Sequence, residues 1–189
     1  MAEAVATFRH ALDLNPDFAT VRSNFLFSLH YGTDMDDDTI VAEHRIFDER
    51  HGRPLAPATE PPPRDSDPER CLRVGYVSPD FRHHAVANFI EPFLANHDKA
   101  QVSVHCYFNN AQGDEVTERF RGYADAWTDC FALNDEALAT RIRDDEIDIL
   151  LDLTGHSASN RLLVFARRPA PIQITWIGYS HTTGLTAMD

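Results

Sequence analysis

Lysine is nearly absent from this sequence. Lys99 is the single lysine, and the 17 basic residues are outnumbered by 30 acidic ones, which gives a formal net charge of −13. Neutralising the phosphates of a nucleic acid requires clustered Lys and Arg side chains. We therefore expect a protein that does not bind nucleic acid.

Long hydrophobic runs are also lacking. The longest apolar stretches, such as 147–151 and 172–177, are much shorter than the roughly 20 residues that a membrane-spanning helix needs. The first residues show no basic segment followed by an apolar one, which a secretory signal would require. These features predict a protein that makes no membrane contact and works in the cytoplasm.

Cysteine is sparse. Cys71, Cys106 and Cys130 are odd in number and form no CxxC pair. The spacing therefore argues against a zinc ribbon or a redox dithiol and favours ordinary buried thiols in a reducing compartment.

Phosphate-binding glycine motifs are missing as well. No GxGxxG follows the first predicted strand, and no GxxxxGK[ST] or GxSxG occurs anywhere in the chain. These absences argue against a dinucleotide or ATP cradle of the usual kind and against an esterase elbow.

Residues 1–51 have the pattern of amphipathic helices. Small and large apolar residues recur at Ala4, Phe8 and Ala11, and Pro16 ends the first segment. This spacing resembles the second helix of a tetratricopeptide (TPR) repeat, although any amphipathic helix that ends at proline would look similar. Because half a repeat leaves an apolar face uncovered, we expect the natural polypeptide to extend upstream.

Residues 52–70 are rich in proline and predict a stiff, extended linker.

In residues 71–189, apolar strands rich in Val and Ile alternate with single helical segments. That alternation predicts an α/β, Rossmann-like parallel sheet with helices on both faces. The predicted strands are 72–78, 102–108, 127–133, 147–153 and 172–177.

Polar residues follow the first predicted strand. His84 precedes the next helix, where a neutral imidazole would suit a general base that takes a proton from a hydroxyl group. A helix-capping or packing role for His84 is an equal alternative, and His83 is expected to face solvent. Asp80 could orient a histidine or accept a hydrogen bond within a turn.

Two more loops, 154–157 and 178–184, follow predicted strands and should share a crevice with the first at the carboxyl edge of the sheet. Asp152 and His156 flank Gly155 in one of them. A metal site built from His83, His84, Asp152 and His156 is conceivable, but no HxH or HExxH spacing supports it. Asp152 is more simply interpreted as a residue that points into the sheet or caps a loop.

Several strings in the second part of the chain resemble the O-GlcNAc transferase and SPINDLY family. Such strings are more specific than any glycine pattern. They are LRVGYVSPDF at 72–81, His84, IDIL at 147–150, LTGH at 153–156 and RPAPIQITWIGY at 168–179.

The resemblance implies a fold and a reaction. Members of this family carry TPR repeats ahead of a two-lobed GT-B catalytic unit, so residues 71–189 would form its first lobe. The activity implied is transfer of a sugar, GlcNAc or alternatively fucose, from UDP-GlcNAc or GDP-fucose to Ser/Thr of acceptor proteins that the TPR-like helices select. No cofactor and no metal ion is implied. A non-catalytic TPR scaffold and a metal-dependent hydrolase are the rival hypotheses.

The resemblance also places residues. The family's candidate base falls on His84, and His156 is the second candidate for an active-site role. Arg168, Pro169 and Pro171 match a structural signature beside the cleft rather than catalytic groups. Ser180 stands where the family usually has proline, which predicts a looser turn, and the chain ends where members continue toward the second lobe, so we expect these 189 residues alone to be inactive.

Overall fold

The computed structural model describes residues 2–31, 35–58, 67 and 69–189. Nine of the 19 residues of the predicted linker, 59–66 and 68, lie outside the described residues. Within the described part, no helix combines the length and the apolar character that crossing a membrane would require.

Three helices form the N-terminal region: α1 (Ala2–Leu14), α2 (Ala19–Leu29) and α3 (Asp37–Phe47). The carboxylate of Asp36 accepts a hydrogen bond from the backbone N–H of Thr39 and caps α3. The chain then continues through a π-helical turn at Asp48–Gly52 and a 3₁₀ turn at Arg53–Leu55. The start of the predicted extended linker is therefore wrong, because helical structure continues to Leu55.

Five parallel strands form one sheet in the order β3-β2-β1-β4-β5, which confirms the predicted Rossmann-like α/β fold. The strands are β1 (Leu72–Ser78), β2 (Val102–Phe108), β3 (Ala126–Asp129), β4 (Ile149–Asp152) and β5 (Ile172–Thr175). The helices between them are α4 (Ala85–Ala95), α5 (Glu115–Tyr123), α6 (Asp135–Asp144) and α7 (Leu162–Ala166). The chain order reverses between β1 and β4, where such folds place their ligands.

Alternating residues of β1, β2 and β4 contribute to two apolar cores, one on each face of the sheet. Val77, Tyr107 and Leu150 point to one core, whereas Cys106 and Leu151 point to the other. The second core is closed by α4 and α5. Cys106 and Cys130 are buried as predicted, but Cys71 is exposed, because it precedes the first strand of the sheet.

The N-terminal helices share the first core with the sheet. Phe25 and Leu26 of α2 and Phe47 of α3 are fully buried in the same cluster as Ile142 and Leu150. The helical region therefore packs directly on the lobe and forms one folded body with it.

Candidate functional site

The loop after β1 is anchored by one aromatic side chain. Phe81 is completely buried, and its ring lies 5.5 Å from that of Phe120 and 5.6 Å from that of Trp127. Beyond this anchor, residues 82–84 are exposed. The fold therefore presents three consecutive polar side chains at the carboxyl edge of the sheet.

His84 is the N-cap residue of α4, so the prediction that it stands directly before a helix is confirmed. Its Nδ1 accepts a hydrogen bond of 3.3 Å from the backbone N–H of Val86, and it lies 3.6 Å from Oδ2 of Asp80. The side chain is 42% exposed. Burial raises the pKa of Asp80, and the neighbouring His84 and Arg82 act in the opposite direction.

An open depression of about 540 Å³ adjoins His84 between α4 and α5. Arg82, Asn88 and the ion pair between Glu91 and Arg119 contribute polar groups to it. A hydroxyl-bearing chain placed in this depression would lie beside the exposed imidazole.

Asp114 fixes the other side of the His84 loop. As the N-cap residue of α5, its carboxylate accepts hydrogen bonds from the backbone N–H groups of Val116 and Thr117, each 3.0 Å long. It also accepts one of 2.8 Å from the backbone N–H of His83, and these bonds hold the pKa of Asp114 below its ordinary value. The side chain of His83 is exposed, as predicted.

His156 occupies a different environment. Its side chain is completely buried, its Nδ1 accepts a 3.0 Å hydrogen bond from the Ser23 hydroxyl, and its Nε2 donates one of 2.8 Å to the carbonyl of Thr183. Burial lowers the pKa of His156 to about 3. Both ring nitrogens are thus hydrogen-bonded within the protein. The ring contacts Phe47 on the face of the sheet opposite α4.

The three loops predicted to share a crevice divide into two groups. The loops after β4 and β5 touch, since a Cβ on Gly155 would overlap the ring of Tyr179. The loop after β1 instead contacts the loop after β2, where the Asn110 side chain donates a 3.3 Å hydrogen bond to the carbonyl of Pro79. His84 and His156 therefore belong to different parts of this edge.

Asp152 caps the loop after β4, in agreement with the simpler interpretation from the sequence. Its oxygens accept hydrogen bonds from the backbone N–H groups of Thr154 and Gly155 and from the hydroxyl of Thr175. Burial raises its pKa to about 6. With its oxygens and both nitrogens of His156 occupied, the metal set considered from the sequence is not assembled.

A different group of side chains could hold a metal. In the described ranges, His30, His44 and His181 bring ring nitrogens within 4.8 Å of one another. No spacing of histidines along the chain signals this cluster, although His181 lies in the polar loop after β5.

Arg168 and Gln173 hold the last residues of the chain against the sheet. The Arg168 guanidinium donates hydrogen bonds to the carbonyl of Ala187 and to the carboxylate of Asp189. The buried amide of Gln173 donates to the carbonyls of Phe165 and Ala187. Arg168 and Gln173 of the RPAPIQ string thus anchor residues 187–189.

The comparisons with known proteins decide the family. The family model described as glycosyl transferase family 41 matches residues 56–189. The chain belongs to glycosyl transferase family 41.

Family 41 relatives include two plant proteins named as probable UDP-N-acetylglucosamine–peptide N-acetylglucosaminyltransferase SPINDLY. The Petunia hybrida protein is 39% identical over 94% of this chain and 19% of its own length, and the Arabidopsis thaliana protein is 39% identical over 93% and 20%.

A solved structure agrees with this family 41 assignment. A mutant of the Thermobaculum terrenum O-GlcNAc transferase matches with a TM-score of 0.93 and 40% sequence identity, over 98% of this chain and 35% of that one. The chain therefore spans about a third of that structure and about a fifth of the plant relatives.

Proposed function

We propose that this chain is the first lobe of the catalytic unit of a protein O-glycosyltransferase. The preferred reaction is transfer of GlcNAc from UDP-GlcNAc to Ser or Thr of an acceptor protein. Membership of family 41 and the transferase names of the plant relatives and of the Thermobaculum terrenum structure support this proposal. A SPINDLY-type transfer from GDP-fucose is the alternative, and a non-catalytic scaffold is an outcome that the experiment below can reveal.

The observation that carries the proposal is the exposed position of His84 at the start of α4, beside an open depression. An acceptor hydroxyl in that depression would reach the imidazole without any rearrangement of the core. In the proposed step His84 acts as the general base.

The chemistry requires one proton transfer and one displacement. The acceptor oxygen forms a bond to the anomeric carbon, the bond from that carbon to the nucleoside diphosphate breaks, and the hydroxyl proton moves to the imidazole. We assign Asp80 a positioning role. The hydrogen bond from the Val86 N–H to Nδ1 belongs to the tautomer of His84 that is protonated on Nε2. In the other tautomer Nδ1–H donates to the Asp80 carboxylate, 3.6 Å away, and Nε2 has a free lone pair for this proton. No metal ion takes part in this step, and donors on a second lobe would stabilise the leaving diphosphate.

His156 is less suited to proton transfer, because both of its nitrogens are already bonded within the protein. We propose that it acts by positioning the loop after β4 against α2. The partners proposed are acceptor proteins that bind through the TPR-like helices, and the free thiols Cys106 and Cys130 fit a cytoplasmic location.

A donor screen with the complete gene product tests the function. We expect turnover with UDP-GlcNAc or with GDP-fucose, and no turnover with the 189-residue chain alone. His84→Ala should lower kcat by about 10² to 10⁴, the usual cost of losing a general base. His10→Ala is the control, because His10 is an exposed histidine of α1 that does not line this depression, and it should change kcat by less than a factor of about three.

Either of two results would contradict the proposal. If the complete protein transferred neither sugar, the scaffold hypothesis would replace the enzyme. If it transferred sugar and His84→Ala left the rate within a factor of a few, the reaction would stand but the base would lie elsewhere.

A further inference from the structure

Three histidines converge at a point remote from His84. His30 follows the last residue of α2, His44 lies in α3, and His181 lies in the loop after β5. One ring nitrogen from each lies within 4.8 Å of the other two. We propose that these three side chains bind a divalent transition-metal ion, for which zinc is the natural probe, because three imidazoles form a known type of zinc site.

The rings are packed around a common point. The ring centroids lie 4.9 Å apart for His30 and His181, 5.1 Å for His44 and His181, and 5.7 Å for His30 and His44. The three side chains come from separate segments of the fold, so their convergence is a product of tertiary packing.

The tautomer of His44 is already the one that a ligand needs. Its Nδ1 lies 2.7 Å from the carbonyl of Ile40, and only a protonated Nδ1 can bond to that oxygen. The lone pair of a neutral ring is then on Nε2, which lies 2.9 Å from the hydroxyl of Tyr179. Metal-binding histidines commonly donate their second N–H to a backbone carbonyl in this way.

His181 supplies the second observation. Its Nδ1 is buried and has no hydrogen-bond partner in the part of the chain that the structure describes. A buried polar atom without a partner is costly. A metal ion between the three rings would give this nitrogen the partner it lacks.

Tyr179 is the competitor for the same lone pairs. Its hydroxyl lies 2.7 Å from Nε2 of His30 and 2.9 Å from Nε2 of His44, so without metal it can accept from the first and donate to the second. That network satisfies two rings and leaves Nδ1 of His181 unpaired. A bound metal ion would instead be coordinated by one nitrogen of each of the three histidine rings.

The required movement is small. Nitrogens in a tetrahedral zinc site lie about 3.3 Å apart, given Zn–N bonds of about 2.0 to 2.1 Å. The present separations of up to 4.8 Å would therefore have to contract by about 1.5 Å at most. His30 and His181 lie outside regular helix and strand, where such an adjustment disturbs no hydrogen-bond ladder.

The bound ion would fasten the N-terminal helices to the loop after β5. Its role would be to stabilise this junction, so it is independent of the sugar-transfer step proposed for His84. The experiment can accordingly be performed on the 189-residue chain without any measurement of enzymatic activity.

Calorimetric titration with Zn²⁺ tests the site on chain produced without a polyhistidine tag and stripped of metal by a chelator. We expect one zinc ion per chain. Zinc at 100 times its Kd should raise the ratio of folded to unfolded protein about 100-fold, which urea unfolding measures. His30→Ala and His181→Ala should each weaken zinc binding at least tenfold, and His10→Ala, an exposed histidine of α1, should leave it unchanged.

Binding of less than one equivalent, or binding that His30→Ala and His181→Ala leave unchanged, would overturn the proposal. Circular dichroism of each variant separates lost binding from lost folding. Should both variants unfold, the absorption spectrum of the unsubstituted chain with Co²⁺ decides. Intense visible bands of a tetrahedral site support the proposal, and the weak bands of hydrated, octahedral Co²⁺ overturn it.

Discussion

Ser23 and His156 are joined by a 3.0 Å hydrogen bond although 133 residues separate them in the sequence. Ser23 lies in α2 and is 2% exposed, and His156 lies in the loop after β4. The hydroxyl donates to the one ring nitrogen that the carbonyl of Thr183 does not use. This pair therefore fixes the helical region to the carboxyl edge of the sheet.

Ser23→Ala is predicted to destabilise the chain by about 1 to 3 kcal/mol, because it leaves a buried imidazole nitrogen without a partner. Ser28→Ala is the matched control in the same helix. The Ser28 hydroxyl donates only to the carbonyl of Phe25, so its loss should cost about 1 kcal/mol or less. Urea unfolding measures both, and equal losses would show that the Ser23 bond contributes nothing special.

Gly178→Ala should be among the most damaging single changes. A Cβ at this position would overlap the backbone carbonyl of Leu153, and backbone cannot move aside as a flexible side chain can. We expect a loss of more than about 4 kcal/mol or failure to fold. Gly122→Ala is the control, since nothing lies within 4 Å of its added Cβ inside α5, and it should stabilise by about 0.5 to 1 kcal/mol. A mild effect of Gly178→Ala on thermal unfolding would refute the tight contact between these two loops.

The carboxylate of Asp114 should give a recognisable pH dependence. Its pKa in the folded chain is below the ordinary value of 3.8, so its contribution to stability is present above that pH and is lost as the pH falls through the lowered folded pKa. Asp114→Asn keeps a capping side chain but removes the charge. We predict that the variant is less stable than the unsubstituted chain at pH 7 and that this difference in stability shrinks as the pH falls below the ordinary value of 3.8, as urea midpoints at several pH values will show. If the difference in stability between the two proteins did not change with pH, the destabilisation would come from the altered shape of the side chain and not from the loss of its charge.

Arg70→Ala should expose the difference between a buried and an exposed ion pair. Arg70 donates two hydrogen bonds of 2.7 Å to Asp148, whose side chain is 6% exposed. Removing the guanidinium leaves a buried carboxylate, at a cost of about 3 kcal/mol. Arg73→Ala removes a guanidinium that pairs with the exposed carboxylate of Glu146 and should cost less than about 1 kcal/mol. Similar unfolding free energies for the two variants would contradict this ranking.

The sheet was predictable because its strands carry a local signal. The bounds of β1 and β2 match the predicted strands to the residue, since both lie inside the sheet with a paired strand on each side. The predicted strand 127–133 proved too long, because β3 pairs with β2 only as far as Asp129 and the chain then turns, with the backbone N–H of Leu133 donating to the carbonyl of Cys130. Pairing partners decide where a strand ends, and a single strand's sequence does not contain them.

The candidate site was predictable only in its local part. His84 directly precedes α4 as expected, because the capping position follows from the strand, loop and helix pattern around it. The surroundings of His156 could not be read in the same way, because Ser23 and Phe47 belong to helices that the sequence suggested were a separate region. The cluster of His30, His44 and His181 was missed for the same reason, since no spacing in the chain signals it.

The common core of helices and sheet limits how this protein can be rearranged. Exchanging the helices at the proline-rich stretch, by recombination or by design, would separate Phe25, Leu26 and Phe47 from the residues they pack against. The remaining sheet would then expose an apolar surface that promotes aggregation. Residues 2–55 must be inherited together with the sheet. Any swap of recognition modules would have to leave all three helices in place.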